Sequence, residues 1–125
     1  MQPFQVAIEA GDIEAAIATL AEDVVFHSPV AFTPYRGRAA VGTVLRAVFQ
    51  VFEDFAYAKE IGAPGAADHA LVFRAKIGGT RLEGCDFLHL DDAGAIDELT
   101  VMVRPLNGLV ALAEAMKAKM TAARP

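Results

Sequence analysis

Asp86 lies in the run Thr80 to Leu90, TRLEGCDFLHL, where the residues at even spacing from it, Leu82, Gly84 and Leu88, are apolar or lack a side chain. Residues two apart in a strand share a face, so this carboxyl group would project from an apolar surface. An ionised carboxylate there costs several kcal/mol unless it is paired. It must find hydrogen-bond donors, reach water in a cavity, or hold its proton. Each outcome suits an acid or base better than an ordinary surface Asp would. The plainer alternative is an Asp that accepts a bond from a buried hydroxyl or backbone amide and braces the sheet.

The other candidates are less specific. Tyr35 and Tyr57 can each place a hydroxyl in a pocket, although a lone tyrosine more often packs in a core with its hydroxyl at the rim. His27 alternates with Phe26 and Ser28, which suits a surface or interface position, and His69 and His89 flank turns. Cys85 shares the outer face of its strand with Glu83, Phe87 and His89, where packing is a better role for it than nucleophile. One cysteine cannot close an internal disulfide, and with three scattered histidines it gives no zinc-ligand spacing. No metal and no cofactor are expected. Arg104, at a strand end before Pro105, is expected to pair with Glu83 on that outer face.

The elements that must position these residues follow from periodicity. Phe4 to Glu9 reads as a short helix ended by Gly11, and Asp12 caps a second whose Ile13, Ala16, Ile17 and Leu20 share a face. Val24 to Ser28 reads as a strand, and Pro29 through Gly37 as a loop. From Ala39 to Phe52 the apolar positions Val41, Val44, Leu45, Val48, Phe49 and Phe52 recur at the helical period. Phe55 to Ile61 alternates as a strand with Phe55, Tyr57 and Ile61 on one side, and Gly62 to Asp68 is a turn.

Gly78-Gly79 between Leu71 to Ile77 and Thr80 to Leu90 predicts a two-residue hairpin. Ile77 then pairs with Thr80, Arg74 with Glu83, Phe73 with Gly84 and Leu71 with Asp86. Asp91 to Gly94 makes a further turn. Pairing Leu90 with Ala95 brings Leu99, Val101 and Val103 to the face of Phe73, Ala75, Leu82, Asp86 and Leu88. From Asn107 a final helix carries Leu109, Leu112, Ala113, Met116 and Met120 on one stripe, with Lys117 and Lys119 towards its C-terminus. Helices, a strand, a helix, several strands and a last helix describe an α+β domain with a mainly antiparallel sheet.

The 125 residues suit one domain, 1–125, with 54% apolar and 22% charged residues arguing against disorder. A net charge of -5, with no basic stripe, argues against nucleic acid as a partner. The first residues, Met1 to Phe4, have no basic n-region, and no apolar run reaches membrane-spanning length, so a cytoplasmic protein without membrane contact is expected. Cys85, Phe87, Thr100 and Met102 make the outer face of the last strands too apolar for free water, which predicts a homodimer that buries it.

The run AGDIEAAIATLAEDVVFHSPVAFTPYRGRAAV, with the later GCDFLHLDDAGAIDELTVMVRPL, resembles the nuclear transport factor 2-like superfamily, in particular its SnoaL-like cyclase and ketosteroid isomerase branch. The shared pieces are Gly11-Asp12, the Ala-Glu-Asp before the first strand, the Gly37-Arg38 helix start, and Gly94 with Ile96 after the turn. The resemblance implies a cone: a curved sheet wrapped around N-terminal and central helices, closed by a C-terminal helix, with one open apolar cavity for a small apolar ligand. Phe26, Ser28, Tyr35, Phe52, Tyr57, Phe73, Leu88 and Val101 are the expected wall, and Asp86 the expected catalytic acid or base. Ketosteroid isomerases of this superfamily pair a strand Asp base with a Tyr and an Asp in an oxyanion hole. The matching positions here are Ser28, Phe4 and Asp86. Limonene epoxide hydrolases place Arg-x-Asp and a further Asp where this chain has Gly84, Asp86 and Val101. Asp86 is thus the retained acid in both comparisons. An isomerase, cyclase, dehydratase or hydrolase without cofactor is implied, beside a ligand-binding or dimerisation domain without catalysis.

Overall fold

The computed structural model describes residues 2–122. Met1 and 123–125, which the assignment of one domain over 1–125 includes, lie outside the described residues. The elements run α1 (Pro3–Glu9), α2 (Ile13–Ala18), β1 (Leu20–His27), β2 (Tyr35–Arg36), α3 (Arg38–Val51), β3 (Glu53–Ile61), β4 (Asp68–Ile77), β5 (Thr80–Leu90), β6 (Ile96–Arg104) and α4 (Leu106–Ala122). The strands form a curved six-stranded sheet in the order β2-β1-β6-β5-β4-β3, antiparallel throughout except for β1 beside β6. This is the expected α+β architecture, with the helices gathered on the concave side.

Local chemistry explains the helical pair. Pro3 opens α1 with its φ already suited to a helix. Asp12 then caps α2, accepting a 3.0 Å hydrogen bond from the Ala15 amide. Leu20 leaves the helical face expected for it, because β1 begins there, four residues before Val24. It pairs with Ile96, and both side chains are sealed in the core. The loop expected from Pro29 to Gly37 contains one short strand, β2, whose Tyr35 pairs with Phe26.

The β4–β5 hairpin has the predicted register from Ile77–Thr80 to Leu71–Asp86. Gly84 is required where it stands: a Cβ there would collide with the Phe73 ring and come within 2.9 Å of the Met102 carbonyl oxygen. On the outer face, Glu83 meets both Arg74, at 3.6 Å, and Arg104, at 3.2 Å.

Two registers differ from expectation. Leu90 pairs with Ile96 rather than Ala95, and the shift between His89 and Leu90 leaves Asp97 as an extra residue. Asp91 explains the longer turn, since its Oδ1 accepts from both the Ala93 and Ala95 amides at 2.9 Å. The displaced Asp97 is held by His89. Leu99, Val101 and Val103 nevertheless keep the inner face, because Leu88, Asp86 and Gly84 oppose them. In β3, an irregularity between Tyr57 and Lys59 reverses the alternation, so Glu60 opposes Leu71 and Ile61 turns outward, 53% exposed. Ile61 therefore does not share a side with Phe55 and Tyr57.

α4 packs across the sheet because Gly108 has no side chain. A Cβ there would lie 2.7 Å from the Leu82 Cβ. Leu112 and Met116 are buried beneath the helix, and α3 contributes Val41, Val44 and Leu45 to the same core.

Candidate functional site

Between the concave sheet, α3 and α4 lies a cavity of about 380 Å³. That is near the lower end of the roughly 300–1,000 Å³ typical of small-ligand pockets. Its floor is deep: Phe73 and Leu99 are sealed, and Asp86 is 6% exposed. Its rim is formed by exposed Val30 from the loop after β1 and by Lys117 and Thr121 from α4. One wall is aromatic. Phe49, Phe52, Phe55 and Phe73 stand with ring centroids 5.0 to 5.8 Å apart, within the range for favourable edge and offset contacts.

The strand period brings Asp86 to this floor, and its chemistry follows from its neighbours. The Tyr57 hydroxyl, from β3, donates to Asp86 Oδ2 at 3.1 Å. No described residue donates to Oδ1, and this oxygen is not among the enclosed polar atoms without partners, so it opens on the cavity. Burial disfavours the charged form and pushes the Asp86 carboxyl up to about 7, against the smaller downward pull of the Tyr57 bond. Burial, the Asp86 charge, their shared hydrogen bond and Glu9 together raise the Tyr57 phenol well above its ordinary range. Near neutral pH, Asp86 can therefore give or take a proton while Tyr57 remains a donor.

Of the residues expected on the wall, Phe26, Ser28, Tyr35, Phe52, Phe73 and Val101 border the cavity. Tyr57 and Leu88 do not. Tyr57 reaches Asp86 from beside the wall, and Leu88, further along β5, is sealed in the core opposite Leu99. Sequence reasoning missed Phe49, Phe55 and Lys117 as wall residues; the helical spacing of Phe49 with Phe52, and of Ala113, Lys117 and Thr121, carried that signal. It also missed the Tyr57–Asp86 bond. Phe4 is a buried wall residue.

The remaining candidates lie elsewhere. His27 meets Glu98 at 3.2 Å and His89 meets Asp97 at 2.6 Å, while His69 bonds the Ala66 carbonyl at 2.9 Å. Burial, then the Asp86 charge, raises the Cys85 thiol, which disfavours the thiolate. Among the described residues no three His, Cys, Asp or Glu side chains gather as a metal site, and no helix is long and apolar enough to cross a membrane.

A curved sheet closed by helices over an apolar cavity places the chain among the nuclear transport factor 2-like proteins. The chain belongs to the SnoaL-like domain family, whose model matches residues 2–99. Among solved structures, it is similar to a steroid delta-isomerase from Pseudomonas aeruginosa, at 38% identity and TM-score 0.88 over 94% of this chain and 85% of that one. A protein with a cystatin-like fold from Silicibacter pomeroyi shares 35% identity and TM-score 0.90, covering 98% and 89%. The epoxide hydrolase/cyclase-like enzyme SalBIII, of pyran ring formation in salinomycin, is 17% identical with TM-score 0.66, covering 84% and 87%, and carries the likeness of fold alone. No curated protein matches the chain.

Proposed function

We propose that residues 1–125 act as a single SnoaL-like domain that binds a small apolar molecule in the cavity, with Asp86 as the acid or base of a cofactor-independent isomerase, cyclase, dehydratase or hydrolase. The observation that carries this reading is Asp86 itself: buried at the floor of an apolar cavity, near neutrality in pKa, with one oxygen held by Tyr57 and the other free to meet a ligand. In the base form, Oδ1 takes a proton from a carbon or hydroxyl of the bound molecule. In the acid form it returns that proton to the developing anion, and the dry aromatic wall strengthens the interaction. The likeness to the Pseudomonas isomerase supports proton transfer within this frame. Ser28 and Phe4 offer no second acid or base, which favours a reaction that one carboxyl group can run. The same lack supports the second reading, an apolar ligand carrier in which Asp86 only accepts or donates one hydrogen bond.

The test is turnover of a panel of ketosteroids and epoxides by the wild type and Asp86→Asn, with ligand binding and melting temperature followed in parallel. Loss of turnover with binding and fold intact supports catalysis. Turnover that survives the substitution contradicts it, and a melting temperature lowered by several degrees without any turnover assigns Asp86 to bracing.

We also propose a homodimer formed through the outer sheet face, where Phe87 and Met102 are 43% and 59% exposed. Light scattering should give twice the chain mass at micromolar concentration; a monomer there contradicts the dimer. No nucleic acid or membrane partner is proposed. The lone free cysteine fits a reducing compartment, the cytoplasm.

A further inference from the structure

The cavity is chemically lopsided along its depth. Its floor holds an acid, its middle is aromatic, and its rim holds a base. α4 lines it with two rows of side chains four residues apart: Leu112, Met116 and Met120 form one, and Ala113, Lys117 and Thr121 form the other. The first row is wholly apolar. The second ends in an ammonium and a hydroxyl, both exposed at the mouth.

Lys117 has no evident structural duty. The last turn of α4 has its own base in Lys119, which suits the negative end of the helix dipole. No described carboxylate lies within ion-pair distance of Lys117, although five pairs between a lysine or arginine and a carboxylate form elsewhere among the described residues. Lys117 is also the one base bordering this cavity among the described residues, opposite in depth to its one acid. One ammonium and one hydroxyl match the single charge of a carboxylate; a phosphate, with up to two charges and more oxygens to satisfy, would need more donors.

We propose that the ligand is an amphipathic carboxylate, whose apolar body fills the aromatic cavity and whose carboxylate stays at the rim against Lys117, leaving the opposite end of the molecule beside Asp86. The inference rests on the cavity-binding reading above and narrows it to a ligand class. It also fixes a direction of entry, because a carboxylate driven to the floor would lose its hydration among apolar side chains, whereas at the rim it keeps water and Lys117.

Displacement of the neutral fluorescent probe N-phenyl-1-naphthylamine tests this, with decanoate and decan-1-ol as competitors of one chain length at pH 6. Lys117→Met keeps the apolar stem and removes the charge. It should raise the decanoate concentration for half-displacement about fivefold, the upper end for an exposed ion pair, and leave decan-1-ol within about twofold. Lys117→Arg should retain wild-type decanoate binding, and added salt should narrow the difference between wild type and Lys117→Met. If Lys117→Met affects both competitors equally, or neither, the carboxylate inference is overturned while the cavity reading stands. If the probe and both competitors fail to bind the wild type, the cavity reading falls and takes this inference with it.

Discussion

Glu83 and Asp86 are carboxylates on the same strand, yet they face opposite sides of the sheet and meet opposite conditions. Glu83, on the outer face, is half-buried between two exposed guanidinium groups, those of Arg74 and Arg104. Asp86, on the inner face, is buried at the cavity floor and has a single phenol for company. Solvent screens the outer group, and its ion pairs are interchangeable surface contacts. Desolvation governs the inner one and holds its proton into the neutral range. The contrast shows why residue type alone does not mark a functional acid: the face of the strand decides it.

Asp86→Asn should have the largest effect on this contrast. Turnover of a substrate found in the panel should fall by about 10²–10⁴-fold, the usual contribution of a positioned acid or base. The same variant sharpens the comparison through stability. Because the folded-state value of Asp86 is raised above the free 3.8 to about 7, the native state binds the extra proton between those values. The penalty of ionising Asp86 is absent below about pH 4 and grows as pH rises through 7. At about 1.4 kcal/mol per pH unit, this bounds the loss at about 4 kcal/mol. Wild type should therefore lose stability relative to Asp86→Asn in urea melts between pH 5 and pH 8, and parallel curves would break the account. Gly84→Ala comes next. Its methyl group must push Phe73 aside, so unfolding free energy should fall by about 1–3 kcal/mol, with the cavity wall disturbed. The smallest effect belongs to the outer face, where Glu83→Gln should change stability by no more than about 1 kcal/mol.

Much of the frame was legible because local signals agreed. The Gly78-Gly79 turn, the Arg74–Glu83 pair and the fit of Phe73 over Gly84 all point to one register, and that register puts Asp86 on the apolar face. The turn after Leu90 was less legible, since the Asp91 side chain gathers two amides beyond the expected turn and Asp97 bulges. The reversal after Tyr57 has no residue signature, so simple alternation puts Ile61 on the wrong side. At the site, the acid could be read from the hairpin alone. Its partner could not, because Tyr57 reaches it across β4, and only the assembled sheet fixes that distance. Lys117 has only the signature of a helix-end base in the sequence, since its place at a cavity mouth depends on how α4 lies against α3 and the sheet.

The central claim is that burial, more than hydrogen bonding, sets the protonation of Asp86. The most direct measurement is the pH titration of its side-chain carboxyl carbon by NMR, in the wild type and in Tyr57→Phe. The wild type should titrate near 7. Tyr57→Phe should titrate higher still, because the phenol that favours the carboxylate is gone. A wild-type titration near the ordinary Asp value of about 3.9 would contradict the account and return Asp86 to the role of an ordinary brace.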